Sequence, residues 1–82
     1  MAELQTTLHD IAAAIVDSPD EVKVIREEDD TTITLTLTVA PDDMGMVIGR
    51  HGRIAKAIRT VIKAATAKNS KPVYVEIVED DK

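Results

Sequence analysis

The chain has 82 residues, of which 44% are hydrophobic and 30% are charged, and its formal net charge at pH 7 is -5. This length predicts one small domain, and this composition is typical of a folded protein rather than a disordered one. The absence of cysteine excludes a disulfide framework and a Cys-ligated metal site. We expect no transmembrane or secretory segment, and therefore a cytoplasmic location.

The first half of the sequence predicts one helix and two strands. Apolar residues recur at helical spacing over residues 3–17, and Pro19 ends that pattern. A β-branched stretch at 22–26 predicts the first strand, and the four acids at 27–30 suit an exposed hairpin turn. Strict alternation over 32–39 predicts a second strand with aliphatic residues on one face and a solvated row of threonines on the other.

The second half predicts two helices and a final strand. Residues 44–48 can form a turn or two of helix before Gly49, and a longer helix begins near Gly52. A break at 68–72 precedes an alternating strand at 73–78. After this strand we expect only a frayed tail, residues 79–82. One arc of the longer helix is apolar and is expected to pack, and it comprises Ile54, Ile58, Val61, Ile62 and Ala65.

This element order, α-β-β-α-α-β, predicts a fold of the α+β class. Because the two middle helices connect the second and third strands, we expect those strands to be parallel and the crossover to be right-handed. The prediction is a three-stranded sheet with the helices on one face. A single domain would span residues 1–82, with its core at about 3–79.

The charges are segregated along the chain. Residues 1–43 contain two Lys or Arg and eleven Asp or Glu, whereas residues 73–82 contain one basic and four acidic residues. Between them, residues 44–72 carry seven basic residues and no acidic one. This asymmetry predicts an electropositive face directed at an anion, with a merely solvated helix face as the alternative.

Two glycines three residues apart stand at the start of the basic segment. Gly49 can adopt the positive φ that ends one helix, and Gly52 leaves room for a ligand backbone at the first turn of the next. The unpaired amides of that helix N-terminus favour a phosphate. Arg50 and His51 project from the loop between the glycines, and Arg53 extends the positive track.

The sequence Val47-Ile48 stands directly before a Gly-x-x-Gly loop that is flanked by two helices. This arrangement resembles the KH domain, a single-stranded RNA-binding module. The element order resembles the bacterial, type II variant. Residues 47–60 are similar to the KhpA family of small stand-alone bacterial KH proteins, and the likeness extends over nearly the whole chain. The resemblance implies a type II KH fold and RNA binding, often as a homodimer or with a second KH-containing protein.

The resemblance also implies where RNA would lie. It places about four nucleotides with their backbone against the loop at 49–52 and their bases against an aliphatic floor. With Tyr74 as the only aromatic residue, we expect little base stacking, steep salt dependence and poor discrimination between sequences, as in a low-specificity RNA chaperone or post-transcriptional regulator. The expected RNA-binding residues are Gly45, Gly49, Arg50, His51, Gly52, Arg53 and Lys56.

Two other functions stay open on the sequence: a protein-interaction adaptor that keeps the fold, and a single-stranded DNA binder. Catalysis has little support, and we predict no enzyme activity, no cofactor and no metal. Asp42 and Asp43 are expected to cap a helix rather than to act as an acid and base pair. His9 and His51 belong to separate elements with no third ligand at suitable spacing.

Overall fold

The computed structural model describes residues 4–68 and 71–79. The predicted α+β class and element order are confirmed. Positions 69–70 of the predicted break and 80–82 of the predicted tail lie outside the described residues. Residue 79 belongs to the last strand rather than to a tail. The helices and strands are α1 (Leu4–Ile15), β1 (Lys23–Glu28), β2 (Ile33–Val39), α2 (Met44–Ile48), α3 (Arg53–Ala65) and β3 (Val73–Glu79).

The sheet has the strand order β1-β2-β3. β1 and β2 are antiparallel, with Ile25 opposite Thr36, whereas β2 and β3 are parallel, with Leu35 opposite Val75. The parallel pairing of β2 and β3 confirms the prediction. The helices α2 and α3 carry the chain back to the end of the sheet at which β2 begins, so β3 runs in the same direction as β2. Because β3 is last in the strand order, it is an edge strand, and α3 packs against it.

The hairpin between β1 and β2 is tighter than the acidic run suggested. Residues 27 and 28 belong to β1, so only the end of that run forms the turn. The carboxylate of Asp29 accepts hydrogen bonds from the backbone N–H groups of Thr31 at 2.8 Å and Thr32 at 2.7 Å. These donors lower the pKa of Asp29 to about 2.

The core lies between the helices and one face of the sheet. Every second residue of β2 is buried, as the alternation predicts, and Leu8 and Ala12 of α1 cover this face together with Val47 of α2. The threonines of β2 are half-buried rather than fully solvated. On the opposite face, Ile25 of β1 and Tyr74 of β3 are 55% and 57% exposed.

The buried arc of α3 is narrower than the predicted one. Ile58 and Ile62 are buried as expected, and Ala55 joins them. Ile54 and Val61, which we expected to pack, are 37% and 49% exposed, and Ala65 is also exposed. The reason is geometrical, because residues 54 and 61 lie at the edge of the arc centred on residues 55, 58 and 62.

Asp43 stands at the N-cap position of α2, as the sequence suggested, but its side chain does not cap the helix. Its side chain makes no capping hydrogen bond to α2 and is buried, with only 2% of the residue exposed. The carboxylate instead accepts hydrogen bonds from the backbone N–H groups of Ser18 at 3.1 Å and Asp17 at 3.4 Å. It therefore ties the segment after α1 to the start of α2.

Candidate nucleic-acid interface

The glycine loop, residues 49–52, joins α2 to α3 through three residues with positive φ. Gly49 ends α2 with its N–H bonded to the carbonyl of Gly45 at 2.9 Å, and it has φ 74° and ψ 177°. His51 has φ 56° and Gly52 has φ 74°. These conformations turn the chain sharply, so that Gly49 and Ile54 in the first turn of α3 come close together.

The two glycines of the loop have different surroundings. A Cβ atom on Gly49 would overlap the side chain of Ile54 and would lie 3.0 Å from its backbone nitrogen. A Cβ atom on Gly52 would meet nothing within 4 Å. Gly49 is therefore required by internal packing, whereas no such packing requires a glycine at residue 52.

All seven residues that the sequence singled out lie on the continuous segment from α2 through the glycine loop to the first two turns of α3. Gly45 is exposed on α2, and Arg50 and His51 are exposed in the loop. Arg53 and Lys56 are exposed on α3, three residues apart and thus on neighbouring positions of the helix surface.

The cations of this segment are not neutralised by nearby acids. Within residues 4–68 and 71–79, the ion pairs involve only His9, Arg26 and Lys71 among the basic residues. The side chains of Arg50, Arg53 and Lys56 therefore keep their charge available to a ligand. An anion that follows the loop and α3 would meet these three cations in succession.

A cleft of about 590 Å³ lies between the C-terminal half of α3 and the start of β3. We call it the α3–β3 cleft. Its walls include Arg59 and Lys63 of α3 and Tyr74 and Val75 of β3. Residues of β3 could not be assigned to the site from the sequence, because alternation places a residue on a face of a sheet but does not reveal which strand edge faces a helix. The one signal in the sequence that pointed to β3 was Tyr74, the only aromatic residue of the chain.

Two of the basic residues that line this cleft, Lys71 and Arg59, have different partners. The Nζ atom of Lys71 donates to Glu28 Oε2 at 2.6 Å and to the carbonyl of Asp29 at 2.8 Å, and this contact lowers the pKa of Glu28. Arg59 instead donates from Nε to the carbonyl of Val75 at 3.2 Å. Among the residues that the structure describes, Lys71 is thus paired with an acid, whereas Arg59 is bonded only to neutral backbone.

Four large aliphatic side chains are also partly exposed on α2 and α3, at 37% to 49% of their surface: Met46, Ile48, Ile54 and Val61. Among the residues that the structure describes, no helix combines the length and the apolar character needed to cross a membrane.

The family model described as "KhpA/KhpB, KH domain" matches residues 5–77 of this chain. The chain belongs to this KH-domain family. Relatives in the KhpA/KhpB family include the "RNA-binding protein KhpA" of Clostridium acetobutylicum, which is 56% identical over 75 residues, covering 92% of this chain and 100% of the relative. The protein of the same description from Caldanaerobacter subterraneus subsp. tengcongensis is 53% identical over 78 residues, covering 95% and 100%.

A third relative, the "RNA-binding protein KhpA" of Listeria monocytogenes, is 49% identical over 69 residues, which cover 84% of this chain and 91% of the relative. No solved structure shows significant similarity to the chain. The family membership that the glycine loop and its flanking residues suggested is thus confirmed.

Proposed function

We propose that this protein binds single-stranded RNA along the glycine loop and α3. The observation that carries this proposal is the run of three cations, Arg50, Arg53 and Lys56, which form no ion pair within residues 4–68 and 71–79 and stand beside the open space at Gly52. The relatives named above are described as RNA-binding proteins, which supports the same assignment.

The RNA backbone would lie against the glycine loop. Gly52 offers no side chain to obstruct a phosphate at the N-terminus of α3, where the helix dipole favours an anion. Arg50 and His51 at the loop tip and Arg53 in the first helical turn would contact the adjoining phosphates. These contacts hold the backbone in place but carry no base preference of their own.

The bases would extend towards the partly exposed side chains of Met46 and Ile48 on α2 and into the α3–β3 cleft. Tyr74 borders this cleft, but its side chain lies on the face of the sheet opposite the helices, so base stacking contributes little there. Together with the KH mode of clamping about four nucleotides, this arrangement gives a short site of modest affinity. Such a site suits an RNA chaperone or post-transcriptional regulator in the cytoplasm that acts on many transcripts, rather than a catalyst.

We also propose that the protein associates with a second KH domain, either a copy of itself or a second KH-containing protein. The exposed aliphatic side chains Ile54 and Val61, seven residues apart on α3, offer an apolar surface for this contact. Pairing two short sites on one RNA raises the effective concentration of the second site and strengthens binding without new contacts.

The proposed function is tested by titrating a fluorescently labelled single-stranded RNA with the wild-type protein and with the double variant R50D/H51D. Both positions are exposed in a surface turn, so we expect the variant to fold normally and to lose RNA binding. The double variant H9D/K23D replaces one histidine and one cation by aspartate on α1 and β1, and it is expected to bind like the wild type.

The salt dependence provides an independent readout. If Arg50, Arg53 and Lys56 each neutralise one phosphate, the logarithm of the affinity should fall against the logarithm of the salt concentration with a slope of about -2. An unchanged dissociation constant in R50D/H51D would reject the assignment. After that result, capture of a protein partner would favour the adaptor. Separately, equal affinity of the wild type for DNA of the same sequence would extend the function to single-stranded DNA.

A further inference from the structure

An arginine is held against the outer edge of the sheet inside the α3–β3 cleft. Arg59 donates from Nε to the carbonyl of Val75 at 3.2 Å. The hydrogen bond from Ile33 N–H to the carbonyl of Pro72 sets the phase of the β2–β3 ladder, so residue 75 directs its backbone groups away from β2. The contact therefore fixes the guanidinium of Arg59 on the free side of the edge strand.

This bond leaves the two terminal nitrogens of Arg59 as the donors available to a ligand. Nε is occupied by Val75, and within residues 4–68 and 71–79 no carboxylate forms an ion pair with this guanidinium. A planar guanidinium presents its two terminal N–H groups as a parallel fork, which matches a pair of adjacent acceptors better than it matches an acceptor beside a donor.

We infer that Arg59 makes the α3–β3 cleft selective for nucleobases that present two adjacent hydrogen-bond acceptors; this inference rests on the proposed RNA binding. Guanine offers O6 and N7, and cytosine offers O2 and N3 on its open Watson–Crick edge. Adenine places its amino group beside N7 and N1, and uracil places its N3–H between its two carbonyls. For both of these bases, the fork of Arg59 finds only one acceptor.

The remaining walls of the cleft are compatible with a base in this position. A volume of about 590 Å³ lies within the range of small-molecule sites. Tyr74 also borders the cleft, but its side chain lies on the face of the sheet opposite the helices, so it does not compete with Arg59 in selecting the base. The selectivity is thus assigned to Arg59 at one nucleotide position, within a site whose other contacts discriminate poorly.

The inference is tested by measuring the affinity of the wild-type protein for two matched pairs of labelled hexaribonucleotides. Cytidine hexamer is compared with uridine hexamer, and alternating UG with alternating UA, so that the preferred base is available in any register. We expect the first member of each pair to bind about fivefold to tenfold more tightly, the lower part of the range for a bidentate arginine contact.

The variant R59K keeps the charge but lacks the planar fork, and it should reduce both ratios to less than about twofold. R59Q, which also removes the charge, should lose the same ratios and weaken binding of all four RNAs. R26K makes the same exchange on β1, outside the site, and should retain the wild-type ratios. Because each ratio is internal to one protein, a general change in stability does not alter it. Circular dichroism melting confirms that each variant is folded.

The outcomes separate this inference from the proposed function. Equal binding of both members of each pair by the wild type would overturn the assignment to Arg59 but leave RNA binding in place. A preference that persists in R59K and R59Q would place the selectivity in other residues and would also overturn it. Failure of the wild type to bind any hexamer would overturn the proposed function, and the inference with it.

Discussion

Replacing Gly49 with alanine tests whether the glycine loop is determined by packing inside the domain. Gly49 has φ 74° and ψ 177°, a backbone conformation that is almost restricted to glycine. The added methyl group would also overlap the side chain of Ile54 and lie 3.0 Å from its backbone nitrogen. Rotating the Ile54 side chain cannot relieve the contact with the backbone, so the loop or the start of α3 must move.

The magnitude of the effect follows from these two costs. Holding a non-glycine residue in this region costs about 1–3 kcal/mol. Overpacking a well-packed contact adds about 1–3 kcal/mol. We therefore expect G49A to lower the free energy of unfolding by about 4 kcal/mol, which corresponds to a fall in Tm of roughly 15–30 °C for a domain of this size.

The other two glycines of this segment provide matched controls. Gly52 has φ 74° and ψ 17° with open space around its Cα, so G52A meets only the left-handed backbone cost of about 1–2 kcal/mol. Gly45 is exposed within α2, and an added methyl group would meet nothing within 4 Å, so G45A should raise stability by roughly 0.5–1 kcal/mol through helix propensity.

Thermal and urea unfolding followed by circular dichroism at 222 nm distinguishes the three variants. The expected order of stability is G45A, wild type, G52A and G49A. Midpoints of G49A and G52A within a few degrees of each other would refute the reasoning, because the two variants differ mainly in the contact with Ile54. That result would mean that the loop accommodates a side chain at residue 49 as readily as at residue 52.

Much of the fold could be predicted because the sequence patterns are local. The alternation over 32–39 specifies a strand with one buried face, and β2 has that face. The connection through two helices implies the parallel pairing of β2 and β3. The glycine loop and the basic residues after it are contiguous in sequence, so the segment that carries the candidate site could be located without tertiary information.

The remaining features depend on contacts between distant segments. Asp42 and Asp43 look equivalent in sequence, and only the donors of the segment after α1, at Asp17 and Ser18, make Asp43 a buried acceptor. The exposure of Ile54 and Val61 depends on where α1 and the sheet meet α3, which the helical wheel does not specify. The α3–β3 cleft likewise requires the edge of β3 to lie beside α3, so Arg59 and Val75 could not be paired from the sequence.

Two further substitutions test the buried and the exposed acid described above. D43N places an amide N–H₂ where an acceptor is needed and leaves a backbone N–H of Asp17 or Ser18 unsatisfied. Urea unfolding should therefore show a loss of about 1–3 kcal/mol in the free energy of unfolding. D42N, at an exposed neighbouring residue, should change this free energy little. Equal midpoints for the two variants would contradict this role of Asp43. For Asp29, the hydrogen bonds from Thr31 and Thr32 hold its pKa at about 2, below the value of about 3.9 in an unfolded chain. A lowered folded-state pKa gives stability that is present above the unfolded value and is lost as the pH falls through the folded value. The stability of the wild type relative to D29N should therefore decrease between about pH 4 and about pH 2, since asparagine supports the same turn without titrating. A difference that stays constant across this range in acid titrations of the two proteins would show that Asp29 does not stabilise the hairpin through its charge.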